Sequence, residues 1–281
     1  MARRLKLLAG LSTLALGGAV ALAGCGSEGE GEGAKSAAAP ASTDHNVHMA
    51  SKGEGEGGES EGGESEGASA VNAATDNVAY IQQLLLMRGH LQAGVALYAA
   101  GDQNMAATHM KHPKDELYAG LLPAFEARGY AGFADALDAL AVAVKGGAPA
   151  NEVEAKLAAA RAGIDAAVAG ANATPRETLL AMAEVLRTAG EEFDIGVKDD
   201  VIVNAHEYQD AYGFMTTVVD YLGRYDGGAG GVDEAVAEAR EYAAQALEVA
   251  PSAIPPETVT TSSETIYGAA ARVEIIARGL A

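Results

Sequence analysis

Cysteine is nearly missing from this sequence, tryptophan is absent, and only four phenylalanines and ten tyrosines occur in 281 residues. A lone thiol excludes an internal disulfide, a multi-thiolate metal site and c-type haem attachment, which all need at least two cysteines. Positive charge is scarce too: 19 Lys and Arg stand against 39 Asp and Glu, for a formal charge of −20. So acidic a chain repels nucleic-acid phosphates, which excludes a nucleic-acid partner, and it suits cations or a basic protein surface. The apolar half of the composition is mostly alanine rather than the Val, Ile and aromatic residues of sheets. Closely packed helices are the expected outcome. Catalytic signatures are also missing. The sequence has no His-Glu-x-x-His, Glu-x-x-His or P-loop, Gly-x-Ser-x-Gly occurs only at 58–62 and 63–67 within a Gly/Glu/Ser repeat rather than at a strand-to-helix turn, and the glycines at 227–231 follow a helix rather than cradle a phosphate. An enzyme is not expected.

The longest apolar run lies at the start, in MARRLKLLAGLSTLALGGAVALAGC. A basic opening, an apolar stretch and small residues before a cleavage point read as a secretory signal over residues 1–24. Its last residues, Leu22, Ala23, Gly24 and Cys25, resemble the bacterial lipobox. That resemblance implies cleavage before Cys25, lipidation of Cys25 and attachment to a membrane through the N-terminal lipid anchor. Gly26, where a retained lipoprotein of enteric bacteria carries Asp, implies delivery to the outer membrane, on its periplasmic or surface face. Residues 25–70 then form an acidic Gly, Glu and Ser tether with too little apolar surface to fold. The foldable part is 71–281.

Helical periodicity begins at Asn77 and runs to Ala100, with Gly101 placed to end it. Asp102 caps a short helix reaching His112, Pro113 opens another turn, and Pro123 falls inside the helix that follows. Two Ala-rich helices precede Thr174-Pro175-Arg176-Glu177, a capping box with proline at the first helical position. Asn204 caps a helix extending to about Gly227, a further helix ends before Pro251, and the last covers about 258–278. No stretch reads convincingly as a strand. The fold class is all-α, a bundle of about seven to nine antiparallel helices. The halves 71–172 and 173–281 align loosely as diverged repeats, with chance likeness between Ala-rich helices as the alternative.

Two stretches concentrate metal-ligating side chains. His109 and His112 stand at i,i+3 on one helix face, Glu116 follows just past Pro113, and His90 lies on the preceding helix, where Gly94 lets a neighbour approach. His206 and Glu207 head a later helix, with Asp210 one turn on, where the helix dipole favours carboxylates anyway. Imidazole with carboxylate suits iron, copper or zinc. The bland reading is that these are structural histidines satisfied by carboxylates and backbone.

The second stretch, VKDDVIVNAHEYQDAYGF, resembles a motif in the extracytoplasmic helical domain fused to some bacterial high-affinity iron permeases. Lys198, Asp199, Val203, Asn204, Glu207, Tyr208 and Phe214 occupy its positions. Asp200 stands where that family usually has Gly, and Asp210 where it often has Glu. The resemblance implies an iron-uptake accessory partnered with a metal permease or other uptake component. The permease's Arg-Glu-Gly-x-Glu membrane motif has no counterpart here. Two expectations therefore stand. One is a lipid-anchored extracytoplasmic metal-binding protein, with His90, His109, His112 and Glu116 as main ligands and His206 and Glu207 as a second or facing group. The other is a non-catalytic acidic interaction module.

Overall fold

The computed structural model describes residues 73–227 and 231–281. The signal, Cys25 and the tether lie outside the described residues. Nine α-helices appear among those described: α1 (Asn77–Ala99), α2 (Gln103–His112), α3 (Ala119–Arg128), α4 (Ala134–Lys145), α5 (Ala150–Gly170), α6 (Pro175–Gly196), α7 (Ala205–Leu222), α8 (Val232–Leu247) and α9 (Ser263–Gly279). The all-α expectation holds. None of these helices is long and apolar enough to cross a membrane.

α1 is the centre of the bundle. Asp76 caps it, its carboxylate accepting from the Val78 and Ala79 amides. Its buried residues run from Ala79 to Leu97 and go all the way round it, Tyr80, Leu84, Leu86, Met87 and Leu91 among them. A helix apolar on every side belongs inside a domain. Accordingly α2, α5, α6 and α7 all pack on α1. Even Arg88 is buried there, paired with Asp165 of α5 at 2.7 Å, while Arg224 beyond α7 takes the other oxygen at 2.9 Å. Burial first, against the pull of Asp165, lowers the Arg88 guanidinium to about 10.

The structure departs from the sequence reading at four places. Pro113 does not begin a new helix. The chain from Gln103 to Arg128 is one continuous helical run whose middle, Pro113–Tyr118, is a π-helical turn. Proline has no N–H to close the α-helical bond, and the widened turn absorbs that loss. Second, a two-residue hairpin joins α6 to α7: β1 (Val197–Lys198) pairs antiparallel with β2 (Val201–Ile202). Its turn places Asp199 and Asp200 at φ 50° and 65°, the left-handed pair of a type I′ turn. Two-residue strands fall below any periodicity a sequence can display. Third, α7 stops at Leu222, short of the glycines. Fourth, α9 starts at Ser263, where Ser262 accepts from the Glu264 amide. The residues before it lie along the hairpin instead, with the Val259 amide donating to the Asp200 carbonyl.

Candidate metal centre

α1 and α7 cross where both lack a side chain. A Cβ at Gly213 would overlap the Gly89 carbonyl oxygen, and one at Gly89 would overlap the Phe214 ring. Only glycine allows backbones so close. The crossing carries the adjacent donors together, so that His90 Nδ1 lies 2.6 Å from Asp210 Oδ1. Further along α1, a Cβ at Gly94 would come 2.6 Å from Met110 Cε and 3.2 Å from His109 Cβ. There α2 closes on α1, and its His109 enters the same volume.

His109 Nδ1 stands 3.1 Å from Asp210 Oδ1, and its Nε2 is 2.9 Å from Gln209 Oε1. His206, one turn before Asp210 on α7, places Nδ1 3.4 Å from Asp210 Oδ2 and 3.9 Å from Glu207 Oε2. The His109 and His206 rings are stacked, with centroids 4.3 Å apart and planes 10° from parallel. The His112 ring lies 4.7 Å from that of His206 and 5.7 Å from that of His90. Imidazoles from α1, α2 and α7 thus surround one carboxylate. His90, His109, His206 and Asp210 are buried, whereas His112 and Glu207 are half-buried and mark the side open to solvent.

Charge explains why Asp210 stays ionised at 2% exposure. Burial pushes its carboxyl up, but the facing His90 and His109 more than reverse this and hold it well below the ordinary aspartate value. The His206 imidazole likewise holds Glu207 below its usual value against burial, and Glu192 of α6 adds a hydrogen bond. Not every imidazole here can be cationic at once. Two stacked imidazoliums at the 4.3 Å of His109 and His206 would repel strongly, so at least one ring of the pair is neutral. His109 shows what such a ring offers. Its buried Nδ1 lacks an aligned hydrogen-bond partner. With Nε2–H donated to Gln209 Oε1, Nδ1 is the ring nitrogen turned toward Asp210, 3.1 Å from its Oδ1. An acceptor fixing the far nitrogen is the usual support of a metal-ligating histidine.

Residues 169–278 match the family model of the iron permease-associated 4-helix bundle domain. The resemblance read from the 197–214 stretch holds for the segment that contains it. No curated protein and no solved structure matches the chain. The matched segment covers α6, α7, α8 and nearly all of α9, and it supplies Glu192, His206, Glu207, Gln209 and Asp210. His90, His109 and His112 come from the helices before it. The cluster therefore straddles the boundary of the matched region.

Five of the side chains expected as ligands are brought together: His90, His109, His112, His206 and Glu207. They form one cluster, in which His206 and Glu207 lie across Asp210 from His90 and His109. Glu116 falls in the π-helical turn, and its side chain lies outside the described part of the structure. Sequence reasoning undervalued Asp210, the acid at the centre, and missed Gln209 and Glu192. A signal for Asp210 was present: it is i+4 from His206 and i+3 from Glu207, on the same helix face. Nothing local in the sequence distinguishes Gln209 or Glu192. A groove of about 710 Å³ between α2 and α4, rimmed by Lys111, Lys114 and Lys145, holds none of these side chains.

Proposed function

We propose that this protein binds a transition-metal ion at the histidine cluster and serves as a non-catalytic accessory in metal uptake. Iron is the favoured cargo, with copper and zinc as alternatives. The observation that carries the reading is the convergence of His90, His109, His112 and His206 on the buried Asp210, with the His109 Nδ1 unaligned to any donor or acceptor. Nitrogen and carboxylate donors in this mixture suit Fe(II), Cu(II) or Zn(II) rather than Mg or Ca. The association with iron permeases is carried over from the family that residues 169–278 match. In this proposal Cys25 carries a lipid anchor, and the domain works outside the cytoplasm at the outer membrane, passing the ion to a permease or other uptake component.

The half-buried His112 and Glu207 would then guard entry and release of the ion. Protons compete for imidazole, so affinity should fall as pH drops through the ordinary histidine range near 6.5.

Elemental analysis of the purified chain, together with titration by Fe(II), Cu(II) and Zn(II), tests the reading. Stoichiometric metal that disappears in His109→Ala/His112→Ala, with helicity unchanged by circular dichroism, is the expected result. A metal-free chain that ignores all three ions would overturn it and leave the acidic interaction module with structural histidines.

A further inference from the structure

We infer that the cluster is built for two metal ions bridged by the Asp210 carboxylate. The inference rests on the reading of this cluster as a metal site and goes on to fix its nuclearity. The donors divide into two sets with only Asp210 in common: His90, His109 and Asp210 in one, His206, Glu207 and Asp210 in the other, the ligand atoms of each lying within 4.8 Å of one another. The sets use different oxygens of the shared acid. Oδ1 faces His90 Nδ1 at 2.6 Å and His109 Nδ1 at 3.1 Å, while Oδ2 faces His206 Nδ1 at 3.4 Å. A carboxylate addressed on each oxygen by a separate group of ligands has the form of a bridge.

Ring geometry supplies a second argument. A metal bound to imidazole nitrogen lies near the plane of that ring. His109 and His206 belong to different sets, and their planes are 10° from parallel with centroids 4.3 Å apart. Ions in the two planes are therefore kept apart by at least the spacing of the planes, and centroids 4.3 Å apart are compatible with the roughly 3.5–4 Å of two-metal sites. Stacking that would be repulsive between two cationic rings becomes a natural consequence of two neutral ligands serving neighbouring ions.

Glu192, buried on α6, hydrogen-bonds the half-buried Glu207 and would hold that ligand in place. Each ion then has three protein donors and open positions for water or an incoming ligand.

The full chain, stripped with a chelator and titrated with Cu(II), provides the test, with bound copper counted by elemental analysis and its coupling read by electron paramagnetic resonance. Two equivalents per chain with a magnetically coupled spectrum are expected. Glu207→Gln should leave one equivalent with an isolated-ion spectrum, and so should His90→Ala from the other side. If Glu207→Gln unfolds by circular dichroism, His206→Ala removes a donor from the same set and is read in its place. One equivalent in the unaltered chain, unchanged by Glu207→Gln, overturns the bridge and leaves single-ion binding standing. Two equivalents with uncoupled spectra also overturn it, because the second ion is then elsewhere. No bound copper, iron or zinc removes this inference together with the reading beneath it.

Discussion

Asp210 sits where a carboxylate is tolerated only if its surroundings make up for lost water. His90 hydrogen-bonds it, and His109 and His206 face its two oxygens, so ionisation is favoured in spite of burial. Asp210→Asn keeps the size and removes the charge, leaving the imidazoles without their counter-ion. Breaking a buried pair by removing one partner costs about 3–5 kcal/mol, so a large drop in melting temperature and loss of bound metal are expected. Asp200 is the opposite case. It holds φ 65° in the hairpin turn, a conformation glycine adopts without steric cost. Asp200→Gly should therefore stabilise the protein by roughly 0.5–1 kcal/mol in chemical denaturation. A destabilised variant would show that the Asp200 side chain contributes more than its backbone strain costs.

Between elements, the bundle relies on close helix approaches and on caps. Gly213→Ala forces the α1–α7 crossing apart, because backbone rather than a flexible side chain meets the new methyl. Overpacking of this kind costs about 1–3 kcal/mol, and here it should also abolish metal binding by drawing His90 from Asp210. Gly268→Ala is the control. It lies within α9 with nothing near its added methyl, and it should stabilise by up to about 1 kcal/mol. The start of α6 supplies a pH signature. The Thr174 amide, first, with the Thr174 hydroxyl and Asn77 amide, holds the Glu177 carboxyl below its ordinary value against the opposing effect of burial. The contribution of Glu177 is thus fully present above the unfolded carboxylate value and is lost as pH falls through the lowered folded one. Melting temperatures of Glu177→Gln should converge with those of the parent chain in that acidic window and lie below them at neutral pH. Thr174→Ala removes the cap at every pH, at a cost of about 1 kcal/mol.

At the level of the whole molecule, the matched segment and the helices before it share one core and one site. α6 and α7 pack on α1, whose buried residues reach from Ala79 to Leu97. A fragment of residues 173–281 would retain Asp210, His206 and Glu207 but would lack His90, His109 and His112. It should expose the α1-facing sides of α6 and α7, bind a hydrophobic dye and fail to retain metal. A fragment that folds cooperatively and binds copper as tightly as the full chain would place the site within the matched segment alone. Arg88 reinforces the expected dependence, since its pairing with Asp165, which Arg224 shares, joins α1 and α5 to the end of α7.

Much of this architecture is written locally. The Ala-rich periodicity, the caps at Asp76, Asp102, Thr174 and Asn204, and the glycine after α1 follow from interactions within a few residues. The residue types of the site were legible as well, because His109 with His112 and His206 with Glu207 are each neighbours on one helix. Register across helices was not legible. Asp210 resembled an ordinary acid near a helix start until His90, 120 positions away, was found against it. The π-helical turn at Pro113 and the hairpin at Asp199 and Asp200 were hidden for a related reason, since each settles a backbone bond or turn without a repeating pattern. By itself the sequence determined the helices, the acidic character and the supply of ligands, because these depend on nearest neighbours along the chain. Only the tertiary structure decided that the ligands meet at one carboxylate, because that depends on where the Gly89–Gly213 and Gly94 contacts let the helices cross.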